Sequence, residues 1–72
     1  HDHESRFKFA QALHGSGRIE DAVEQLLELF KRDRDWNDGA AKSQLFIIFE
    51  ALEPNDAIVL NGRRKLSSLI FA

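Results

Sequence analysis

The chain has 72 residues, with ten Lys/Arg against twelve Asp/Glu for a formal charge of −2, and it contains no Cys. A domain of that length buries only about 60% of the surface its unfolded form exposes, so help from a partner, a second copy or a neighbouring domain is expected. Near-neutral charge gives no broad attraction to nucleic acid or an anionic membrane, and the absence of Cys removes disulfides, thiolate nucleophiles and Cys-rich zinc sites.

Four helical stretches follow one another. Phe7, Phe9, Ala10, Ala12 and Leu13 lie among polar residues without alternation, which predicts a helix over 3–14 that stops at Gly15-Ser16-Gly17, where Gly turns the chain cheaply. Ile19, Ala22, Val23, Leu26, Leu29 and Phe30 recur as one stripe and predict a second helix over 18–32. Glu20, Asp21 and Glu24 near its start and Lys31 and Arg32 at its end complement the helix dipole. The short connection makes it antiparallel to the first helix.

The segment 33–39 breaks the periodicity, and Asn37 or Asp38 is expected to cap a third helix over 38–52. Ala41, Leu45, Ile48, Phe49 and Leu52 form its stripe, and Phe46 and Ile47 widen the apolar surface so far that cover on more than one side is expected. Pro54 ends that helix and Asn55 or Asp56 caps a fourth over 56–70, whose inner side is Ile58, Val59, Leu66, Leu69 and Ile70. Gly62 inside this pattern costs up to about 1 kcal/mol relative to Ala, and stands either for close helix packing or for a tolerated surface position. The fold class is therefore all-α, with four helices in two antiparallel hairpins.

In the first hairpin, Ala10, Leu13, Gly17, Ala22 and Leu26 fall on the small, large, turn-glycine, small and large positions of a tetratricopeptide repeat, which this half resembles. The Trp near the start of that repeat and the Pro after its second helix are missing. A shift of about 35 residues pairs Ala22 with Ala57 and Val23 with Ile58 but finds no counterpart of Gly17, so the second hairpin is expected to be a degenerate repeat at best.

Lys31-Arg32-Asp33-Arg34-Asp35-Trp36-Asn37-Asp38, the Lys42 to Phe49 helix and the ending Gly62 to Phe71, taken with Arg6 to Leu13, look like the C-terminal end of bacterial thioredoxin-related co-chaperones, the chaperedoxins. That resemblance implies that residues 1–72 form one helical domain after an upstream thioredoxin-like domain, and a start too polar for a signal sequence makes a cytoplasmic location the expectation. It also implies an adaptor or holdase role, with clients or chaperones as partners and no catalytic residues to carry over. The start without Met agrees with a domain taken from a longer chain. The alternative is a structural domain for homo-oligomerisation or for packing on the neighbouring domain.

If the repeat analogy holds, Glu4, Phe7, Gln11 and His14 line the side of the first helix that receives peptides, and Phe46 is a second contact candidate on the wide apolar face of the third helix. His14 also suits a helix C-terminus, which is its favoured reading. Trp36 reads first as the seal between the hairpins and only second as a binding hot spot. Arg63, Arg64 and Lys65 span about 200° of helix surface and do not form one patch. His1 and His3 lack the Cys or spaced carboxylates of a metal site, so no metal or cofactor is expected. No nucleophile–base set or phosphate loop appears, and no run approaches the roughly eighteen apolar residues of a membrane span. A non-enzymatic protein-binding module is the resulting expectation.

Overall fold

A computed structural model describes residues 2–71, and among them the elements are four helices, α1 (His3–Gly15), α2 (Ile19–Arg32), α3 (Ala40–Ala51) and α4 (Ala57–Ile70), with one 3-10 turn at Trp36–Asp38 and no strand. The all-α class and the four expected helices are present. The predicted bounds hold to within two residues at each end.

Local chemistry explains most of the boundaries. Asp2 accepts a hydrogen bond from the Glu4 amide (3.0 Å) and starts α1, and the Ser5 hydroxyl, by donating to the same carboxylate (2.7 Å), holds the Asp2 carboxyl below its ordinary range. At the other end the Arg18 and Gly17 amides bond back to Leu13 and His14, with Gly17 left-handed at φ +83°. Asp56 caps α4 through the Ile58 amide at 2.8 Å, as expected.

The start of α3 differs from expectation. Neither Asn37 nor Asp38 caps it: both are left-handed (φ 50° and 56°), Gly39 follows at φ 79°, and Gly39 is the N-cap residue with no side chain to offer. Asn and Asp are chosen there for their tolerance of the left-handed backbone, which reverses the chain sharply between α2 and α3.

Helix α2 is the hub. It packs against α1, α3 and α4, whereas the backbones of α3 and α4 approach each other at fewer places than either approaches α2. Ala22, Val23, Leu26, Leu27, Leu29 and Phe30 are all buried, enough of the helix circumference to serve three neighbours. Ala10 of α1 and Ala22 of α2 are small and fully buried. Arg6 donates to Gln25 (2.7 Å) between α1 and α2, and Lys65 pairs with Glu24 (2.7 Å) between α4 and α2.

The contact between α3 and α4 centres on Gly62, which is buried. A Cβ added there would lie 2.6 Å from Phe49 Cζ and 2.7 Å from Cε1, far inside van der Waals contact. Phe49 is itself only 2% exposed, so its ring has nowhere to move. Of the two readings of Gly62, close packing is the one observed. On α3, Phe46 is half-buried, but Ile47 remains 56% exposed, so the expected cover does not extend to that side of the helix.

Two stability effects follow. Gly62→Ala gains up to about 1 kcal/mol of helix propensity but overpacks Phe49 at a cost of about 1–3 kcal/mol, and denaturant unfolding should show net destabilisation. Asp38→Val, although at an exposed position, puts a β-branched residue at φ 56° and should lower stability by about 1–2 kcal/mol in the same measurement.

Candidate functional site

The polar segment after α2 carries the single Trp of the chain. The left-handed turn folds Trp36 back onto the start of α1, where its ring meets Phe7 at 5.5 Å between centroids with a 54° tilt and His3 edge-on at 6.3 Å. His3 Nε2 lies 3.7 Å from Asp33 Oδ2, so the end of α2 is held near the start of α1 by the same cluster. Trp36 is only partly buried and packs on the edge of the core. It thus joins the connection between the helical pairs to α1 of the first pair, and still shows a face to solvent.

That face is one wall of a groove lined by Glu4, Phe7, Lys8, Gln11, Trp36 and Asn37. Phe7 and Trp36 give it an aromatic floor, while Gln11 and Asn37 bring carboxamides that both donate and accept. Glu4 and Lys8 pair across one helical turn at 3.4 Å on the exposed rim. The set combines apolar aromatic surface with neutral groups that can donate and accept hydrogen bonds.

Three of the four α1 candidates, Glu4, Phe7 and Gln11, are therefore brought together. His14 lies two turns beyond Phe7 in the last turn of α1, is half-buried, and does not join them. Phe46 lines a different groove with Phe30, Arg34, Asp38, Lys42 and Ile70. The turn separates the two, giving Trp36 and Asn37 to one and Asp35 and Asp38 to the other. In the Phe46 groove Lys42 lies over the Phe46 ring at 5.8 Å and Arg34 over Phe30 at 5.2 Å, with Arg34 also donating to the Leu69 carbonyl at 3.0 Å.

Sequence reasoning did not single out Lys8 of α1, and did not place Trp36 and Asn37 beside Glu4, Phe7 and Gln11. The available signal was an aromatic residue standing alone in a charged segment; its partner across the fold has no signature of its own. The basic run of α4 is dispersed as its spacing requires: Arg63 lies over Phe49 at 5.4 Å, while Lys65 turns to Glu24. Among the described residues no group of three or more His, Cys, Asp or Glu could hold a metal ion, and no helix is long and apolar enough to cross a membrane. His1 lies outside the described residues.

A family model described as tetratricopeptide repeat matches residues 1–71, so the match runs through the second helical pair as well as the first. No curated protein and no solved structure gives a match.

The Phe7–Trp36 contact is open to a direct optical test. Phe7→Ala should shift Trp36 emission to longer wavelength by admitting water to the ring, and should cost about 1 kcal/mol or more in stability, the order of a lost aromatic pair. An unchanged emission maximum would mean that the two rings do not pack in solution.

Proposed function

Because the chain belongs to the tetratricopeptide repeat family, whose repeats are non-catalytic modules that mediate protein–protein interaction, we propose that it binds extended segments of other proteins in the groove between α1 and Trp36. The observation that carries this reading is the aromatic floor of Phe7 and Trp36 flanked by the Gln11 and Asn37 carboxamides. An unfolded chain offers both things that such a groove takes, apolar side chains and unpaired backbone groups. Glu4 belongs to the rim, and Phe46, in its own groove beyond the turn, is a secondary contact.

In this reading the 72 residues are one helical domain that follows a thioredoxin-like domain in a bacterial cytoplasmic co-chaperone. Its partners are clients that have lost their fold, or the chaperones that receive them. Support comes from the resemblance of the Arg32 to Asp38 segment to that family and from the position of this segment: it builds the turn that presents Trp36.

The test is aggregation of a model enzyme diluted out of guanidinium, followed by light scattering with increasing amounts of the chain. Suppression should rise with concentration and fall several-fold in Trp36→Ala, with circular dichroism confirming the helices. Equal suppression by parent and variant, or none by either, would rule out client binding at this groove.

A second reading, a structural domain for self-association or for packing on a neighbouring domain, draws on Ile47, Leu60 and Phe71, all more than half exposed on or just after α3 and α4. Sedimentation equilibrium separates its oligomeric form: a strictly monomeric, helical chain removes it.

A further inference from the structure

Away from the Trp36 groove, α2 and α4 run side by side and leave a cleft with an apolar floor. Leu27 and Leu69 form that floor, and Glu24 and Glu28 on α2 and Lys65 and Ser68 on α4 are among the residues around it. Two further side chains, Lys31 from α2 and Arg64 from α4, complete the lining.

The charges in the cleft are not balanced. Glu24 is taken by Lys65 at 2.7 Å and Glu28 by the Arg32 side chain at 2.6 Å, a contact that also holds the Glu28 carboxyl below its ordinary range. Both carboxylates are thus neutralised by cations of the same chain. Lys31 and Arg64 have no carboxylate within ion-pair distance among the described residues. The lining thus carries one more positive than negative charge around an apolar slot, and Lys31 and Arg64, one from each helix, are its cations outside any ion pair among the described residues.

We propose that the α2–α4 cleft is a second protein-docking surface, specific for a short acidic segment that places a leucine-sized side chain on Leu27 and Leu69 and carboxylates against Lys31 and Arg64. This goes beyond the groove at Trp36: different helices form it, and its selectivity is electrostatic where that groove is neutral. Guanidinium and ammonium groups on opposite walls suit carboxylates on either side of an apolar residue. Arg64 takes part here without Arg63, which lies over Phe49, or Lys65, which is occupied by Glu24, so the site depends on a pairing across helices.

Titration of the isotopically labelled chain with the peptides Ac-DELLD-amide, Ac-KKLLK-amide and Ac-DESSD-amide, followed by amide chemical shifts, tests the assignment. The first should shift the amides around Leu27 and Leu69 in a saturable manner, with the other two binding at least about tenfold more weakly, and the double substitution Lys31→Ser, Arg64→Ser should weaken it by a similar factor. These positions are exposed, so the variant keeps the fold and circular dichroism verifies it. Equal binding of the acidic and basic peptides, no binding of the acidic one, or parent-like binding by the double variant overturns the proposal. Shifts of the same amides on raising the protein concentration without peptide would assign the cleft to a second copy and overturn it as well. The Trp36→Ala chain should bind the acidic peptide like the parent, which keeps this outcome separate from that of the groove.

Discussion

Everything in this fold leans on α2. A helix in a small domain ordinarily buries one stripe, but α2 buries residues at successive positions, 22–23, 26–27 and 29–30, and so presents apolar surface to three neighbours at once. The opposite face, with Glu20, Glu24 and Lys31 exposed, is left to solvent. The benefit is that α1 and α4 need bring only narrow stripes of their own, with Ala10 the one buried residue of α1 and Val59, Gly62 and Leu66 those of α4. The surface ion pairs contribute little beside this, since exposed pairs are worth at most about 1 kcal/mol each.

How much of this was legible in the sequence depends on whether the cause was local. The caps at Asp56 and the turn at Gly17 are matters of neighbouring backbone, and both were readable. Asn37 and Asp38 were misread because the same two residue types serve as helix caps and as left-handed turn residues; only the backbone, at φ 50° and 56°, distinguishes the roles. Trp36 meeting Phe7 is a contact between segments far apart in the chain, with no periodic pattern to announce it. The candidate groove was therefore visible from its α1 side alone.

The weak internal repetition has a packing explanation. Val59, Gly62 and Leu66 reproduce the spacing of Val23, Leu26 and Phe30, one position on from the pairing of Ala22 with Ala57 that residue identity suggests. That pairing sets a buried residue against an exposed one. In the better register a buried Leu corresponds to Gly62, and the volume of the missing side chain is filled by Phe49 reaching across from α3. Bulk has been moved from one helix to its neighbour with the contact retained, so the two halves share an architecture that residue-by-residue comparison cannot find. The family match over residues 1–71 agrees with that shared architecture.

Phe49 is gripped by α4 from two successive residues, with Gly62 against the tip of the ring and Arg63 over its face. Such a grip sets the azimuth of α4 as well as its distance, because turning the helix by one residue, about 100°, would bring a side chain into the space that only Gly leaves free. The azimuth then determines where every later residue points: Lys65 toward Glu24, Arg64 into the cleft beside α2. A glycine with no functional group thus acts as an indexing pin for the charges that follow it, and the electrostatic character of one face of the domain is decided by an absent methyl group.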